Sequence, residues 1–135
     1  MSEYDEVIRT AEDEAGNGRF KDAYNTLGRA LRIGGPDDRK CRYLRGVYAL
    51  RVAQSRMERF QDSGESGTLL VKAACWLSRS EAYLSSAGED APDDEVARIN
   101  DLLRVNRAGQ QRFRQLADEF GLDLFGSDDE LVSER

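Results

Sequence analysis

The chain has 135 residues, 34% of them charged, with no histidine, two cysteines and a formal net charge of −6. The lack of histidine removes the side chain that most often serves as metal ligand and neutral-pH acid or base, so Ser-His, Cys-His and His-metal chemistry are closed to it. The acidic balance disfavours bulk attraction to nucleic acid or anionic membrane, and the length suits one domain that folds without metal or disulfide.

The first helix is expected from Ser2, an N-cap candidate with Asp5 three residues on. Tyr4, Val7, Ile8, Ala11 and Ala15 recur at helical spacing behind it, and Gly16 and Gly18 bracket its end. A second stripe begins at Phe20 and continues through Ala23, Tyr24, Leu27, Ala30 and Leu31. Gly34-Gly35-Pro36 stops it.

A third helix is expected over 39–60, capped by Asp37 or Asp38. Tyr43, Leu44, Val47, Tyr48, Leu50 and Met57 lie on its broad apolar face, and Gly46 is its one internal glycine. Residues 61–67 read as a polar loop. A fourth helix, 68–85, holds Leu69, Leu70, Ala73, Trp76, Leu77, Tyr83 and Leu84. Pro92 at the first helical position, followed by Asp93, Asp94 and Glu95, opens a fifth, suiting proline's fixed φ and the positive helix end. Its stripe (Val96, Ile99, Leu102, Leu103, Phe113, Leu116, Phe120) falters at 106–110, so either a kink or a break between two helices is expected there. Gly121 with Leu122 resembles a Schellman ending. No strand signal is present. The reading is an all-α domain over 1–125, five or six antiparallel helices in hairpins, with a mobile acidic tail over 126–135.

The segment Gly18-Arg19-Phe20-Lys21-Asp22-Ala23, then Leu27, Ala30-Leu31 and Pro36, resembles a tetratricopeptide repeat. The resemblance implies two antiparallel helices, a tight turn at Gly18, Phe20 filling the space behind it, and close approach at Ala23 and Ala30. It covers residues 4–36 and, more loosely, 38–85. Val7 and Ala11 suit the family's pattern; Thr10 and Glu14 stand where leucine and tyrosine are usual. Pro36 lies one place late. In a second unit Cys41, Leu44 and Tyr48 fit, while Arg45 replaces a small residue. A generic helical hairpin or bundle would show much of the same pattern.

Charge is blocked along the chain, and residues 38–60 carry its one strong basic patch. On a helical wheel Arg42, Arg45, Arg56 and Arg59 fall together, opposite most of the apolar face. They read either as a solvated face pairing with acidic neighbours or as a docking strip for an acidic partner, since guanidinium forks bind carboxylates bidentately. Tyr43, Tyr48, Trp76 and Tyr83 read either as core or as the lining of a groove; tyrosine and tryptophan are frequent interface anchors. Carboxylate runs such as Glu12-Asp13-Glu14 and Asp93-Asp94-Glu95 are explained by capping and solubility, and those at 128–130 lack the spacing of a calcium loop. Leu122-Asp123-Leu124-Phe125 reads as a docking motif or as a cover for the last helix. Cys41 and Cys75 read as reduced, buried thiols.

Three functions follow in order. The first is a non-enzymatic protein–protein interaction module, an adaptor, chaperone-like factor or accessory subunit. Its partner-binding residues would be Arg42, Arg45, Arg56, Arg59, Tyr48, Trp76 and Tyr83, with no catalytic residue, metal or cofactor. The partner is another protein with an acidic or amphipathic segment, rather than nucleic acid or membrane, and homo-oligomers stay open. The second is a phage or mobile-element regulator of a host complex acting by acidic surface mimicry. The third is a hydrolase using carboxylates alone. With no signal peptide or membrane span apparent, a cytoplasmic setting is expected.

Overall fold

A computed structural model describes residues 2–34, 39–63 and 67–121. They form five helices: α1 (Glu3–Gly16), α2 (Phe20–Ile33), α3 (Arg39–Ser63), α4 (Gly67–Gly88) and α5 (Asp93–Glu119). Successive helices pack antiparallel, α3 and α4 share the most extensive contact, and α5 returns to touch α3. The chain is all-α.

α1 starts as its capping residues dictate. Ser2 Oγ accepts from the Asp5 backbone N–H at 3.2 Å and stands 2.8 Å from the Asp5 carboxylate. The α1–α2 turn is tight because Gly18 adopts φ +79°, a left-handed conformation that side chains resist. Gly34, at φ +76°, ends α2.

Ala11, Ala23 and Ala30 are fully buried, so α1 and α2 meet largely through small side chains, with the buried Leu27 beside them. A polar tie joins the pair as well, Thr26 Oγ1 donating to Glu14 at 2.5 Å. α2 then lies along the first half of α3: the Cys41 thiol donates to the Leu27 carbonyl at 3.3 Å, and Phe20 reaches Tyr48 with ring centroids 6.0 Å apart. α3 is longer than α2 and runs on past the start of α2.

α3 buries side chains in several directions, among them Cys41, Tyr48, Ala49, Leu50, Val52, Ala53, Met57 and Phe60. It is flanked by α2, α4 and α5, which is why it lacks one clean apolar stripe. α3 and α4 cross closely at Gly46, where an added Cβ would sit 2.7 Å from Leu84 Cγ. The Ser80 hydroxyl donates to the Gly46 carbonyl at 2.8 Å in the same place.

The core centres on Trp76, 1% exposed, which meets Tyr24 edge-on at 4.8 Å. Leu84, Ala87, Ile99 and Leu103 form a second cluster between α4 and α5, linked to the first through Val47 and Leu102. At the far end Phe60 of α3 meets Phe120 at 4.8 Å.

Several expected boundaries move. α3 extends to Ser63 and α4 begins at Gly67 and runs to Gly88, so residues 61–63 and 67, expected in a loop, are helical. Pro92 is the N-cap of α5 rather than its first helical residue, and Asp93, Asp94 and Glu95 fill the first turn. α5 does not break into two helices at 106–110 but runs as one helix through them. Its stripe falters because the inward residue there is Asn106, wholly buried, whose amide donates to the Leu77 carbonyl at 2.9 Å. Gly109 then lets α4 approach, a Cβ there meeting Leu77 at 3.1 Å. Gly121 takes φ +65° after α5. Its Schellman partner Leu122, the 122–125 motif and the acidic tail lie outside the described residues, as does Pro36.

Candidate functional site

α3 places its arginines in different surroundings. Arg45 turns between α2 and α4: Nε donates to the Tyr24 carbonyl at 3.2 Å and Nη1 to the Tyr83 hydroxyl at 2.6 Å. Its guanidinium lies 3.9 Å from the Tyr24 ring centroid and 4.9 Å from that of Tyr83, so it is clamped by hydrogen bonds and cation–π contacts together. Arg42 donates from Nη1 to the Ser86 carbonyl at 3.0 Å and to its hydroxyl at 2.7 Å. Both are half-buried ties between helices. Arg56 is half-buried further along and Arg59 is exposed in the last turns. The four expected strip residues therefore do not form one solvated face. An interior helix has little face to leave in water, and long arginine stems cover apolar neighbours.

The aromatic residues face inward too. Trp76 and Tyr48 are buried at 1% and 6% exposure, and Tyr83 is half-buried, its ring 6.1 Å from that of Tyr24. Tyr43 packs partly against the α4–α5 cluster. Arg79 covers the edge of this group, 4.6 Å from the Trp76 ring centroid. These rings make a core, not the lining of an open groove. Burial raises the Tyr24 phenol above its ordinary 10.0; Arg45 opposes this and Tyr83 adds to it. Burial also raises Tyr48, with the nearby Glu12 charge contributing.

The carboxylates stay dispersed. Glu95 pairs with Arg39 at 2.6 Å, tying the starts of α5 and α3; Glu12 meets Lys40 at 3.7 Å. Among the described residues no group of three or more Cys, Asp or Glu converges as a metal-holding cluster. Cys41 is buried, Cys75 half-buried, and neither is in a disulfide. No helix among the described residues is long and apolar enough to cross a membrane.

One open site lies where α3 outruns α2. An open pocket of about 210 Å³ is lined by Gly18, Arg19, Phe20, Lys21, Asp22, Arg51, Val52, Ser55 and Arg56. Four of these side chains are cationic and one is acidic. Among the described residues none of the four cations stands within ion-pair distance of a carboxylate, whereas Arg39, Lys40, Arg104 and Arg112 all do. Arg56 Nε is buried and meets no acceptor among the described residues. Arg51 leans over the Phe20 ring at 5.9 Å, which keeps its charge at the rim. The floor is the first turn of α2, whose N-cap Arg19 makes no side-chain capping bond.

Of the arginines singled out in the sequence, only Arg56 belongs to this pocket. Arg19, Lys21 and Arg51 were missed. A signal for two of them existed: basic residues at a helix start oppose the helix dipole and replace the usual Ser, Thr or Asp cap. A smaller second hollow of about 140 Å³ between α4 and α5, lined by Leu77, Glu81, Gln110, Phe113 and Arg114, is partly closed by a hydrogen bond from Gln110 to Glu81.

No family model, no curated protein and no solved structure matches this chain.

Proposed function

We propose that the protein is a non-enzymatic protein–protein interaction module that holds an acidic segment of its partner on the basic side of the α2–α3 corner. The observation that carries this is the gathering of Arg19, Lys21, Arg51 and Arg56 with no carboxylate within ion-pair reach among the described residues, in a chain whose net charge is −6. Unneutralised like charges repel one another, and an acidic partner removes that repulsion while steering its own approach.

The scaffold is read as tetratricopeptide-like in its first pair. Gly18 makes the turn, Phe20 packs behind it and the buried Ala23 and Ala30 allow close helix contact. Glu14, where that family carries a tyrosine, is accounted for by its bond to Thr26. The aromatic and inner arginine residues of this reading, Tyr48, Trp76, Tyr83, Arg42 and Arg45, act by fixing the helices rather than by touching the partner.

The test is isothermal titration of the full chain with short poly-glutamate and poly-lysine peptides. The expected result is binding of poly-glutamate alone, weakening steeply as salt is added. Failure of poly-glutamate to bind even at low ionic strength would sink the reading.

A further inference from the structure

The corner pocket offers more than a charged rim, and its parts converge on one chemistry. α2 runs antiparallel to α3, with Leu27 level with Cys41, Tyr24 with Arg45 and Phe20 with Tyr48. Ser55 and Arg56 therefore stand beyond the first turn of α2, beside the space into which its axis points. The backbone N–H groups of the first turn open toward that space, and the Arg19 side chain does not cap them. Arg56 Nε, buried and without an acceptor among the described residues, is a donor already stripped of water. Arg51 and Lys21 border the mouth. The cavity, about 210 Å³, has room for a side-chain headgroup but not for a folded element.

We infer that this pocket is the anchoring subsite for a single carboxylate of an acidic segment on a partner protein. The Asp or Glu side chain enters between Arg51 and Arg56, and its oxygens accept from a guanidinium and from the first-turn amides of α2. Charge-assisted bonds of this kind are the strong ones, and a helix N-terminus adds its partial positive charge. Phe20, half-buried at the wall, supplies an apolar surface for the methylene stem of the entering side chain. Asp22, the one acid in the lining, lies on the α2 side and favours a ligand that brings one carboxylate to the inner pocket over a compact polyanion. This rests on the proposed function and names the contact that function would use.

The experiment is fluorescence anisotropy of a labelled poly-glutamate peptide with the full chain, its Arg51→Gln and Arg56→Gln variants, and Arg107→Gln as a control that removes an exposed charge on α5. Amide chemical shifts of Phe20, Lys21 and Asp22 are followed in parallel. Expected are a roughly tenfold weakening for each pocket variant, little change for the control, and shifts concentrated in the first turn of α2. If poly-glutamate binds all four proteins alike and leaves those amides unmoved, the pocket assignment and the corner location are overturned, while the reading of the chain as a module for an acidic partner survives. If nothing binds, both fall. Two further results would also overturn the assignment. One is poly-thymidine binding this site more tightly than poly-glutamate. The other is affinity rising tenfold when Asp128, Asp129 and Glu130 are changed to Asn, Asn and Gln, which would make the chain's own tail the occupant.

Discussion

Ser80 on α4 donates its hydroxyl hydrogen to the carbonyl of Gly46 on α3 at 2.8 Å, and both residues sit where the two longest-contacting helices cross. The bond is possible because Gly46 has no side chain to hold the backbones apart. A Cβ there would lie 2.7 Å from Leu84 Cγ and 3.1 Å from the Leu84 backbone nitrogen. Gly46→Ala should therefore destabilise the protein by about 1–3 kcal/mol despite alanine's better helix propensity. A urea titration reads this as a lower midpoint at unchanged slope. Gly109→Ala makes the contrast: its Cβ meets only flexible side-chain ends, Leu77 at 3.1 Å and Met57 Cε at 3.6 Å, and the loss should be smaller. Equal losses at both positions would refute the assignment of a close crossing at Gly46.

Arg45 is a structural tie in this fold. Replacing it with glutamine removes the bonds to the Tyr24 carbonyl and the Tyr83 hydroxyl and the stacking on both rings. A loss of about 2 kcal/mol is expected, and Arg45→Lys should recover only part of it, since a point charge lacks the planar fork. Thermal melts of the three proteins decide it.

Asn106 holds α5 to α4 from a wholly buried position. Asn106→Ala loses the bond to the Leu77 carbonyl and the one accepted from Gln110 at 2.7 Å. About 1–3 kcal/mol should go with them. Asn106→Asp should cost more at neutral pH, because it sets a buried charge against a carbonyl oxygen, and acid should relieve that excess. Chemical denaturation of both variants at neutral and acidic pH measures it.

Alkaline pH should weaken the fold. The Tyr24 and Tyr48 phenols are raised above 10.0 by burial, and unfolding returns them toward that value. Their stabilising effect is complete below the unfolded value and disappears as pH climbs through the folded one. The denaturation midpoint should hold up to about pH 10 and fall beyond it. Tyr48→Phe should flatten part of the fall.

The helices were legible before any coordinates. Stripes such as Phe20, Ala23, Tyr24, Leu27 and Ala30 repeat at the period of an α-helix, and Ser2, Gly18 and Gly34 punctuate them through cap and turn preferences that act within a few residues. Local rules of that kind are written in the order of the residues alone. They miscarried where a residue served a distant neighbour. Asn106 and Gly109 look like a helix break until α4 stands against them. Arg42 and Arg45 look like solvated cations until Ser86, Tyr24 and Tyr83 close round them.

Sequence order thus determined a row of five or six amphipathic rods, an acidic chain and a basic α3. Only tertiary packing decided which arginines became internal ties and which were left lining the corner beyond α2. A helical wheel assigns faces to an isolated rod, while α3 has neighbours on three sides and runs on well past the start of α2. Burial and register, not charge, sorted its cations.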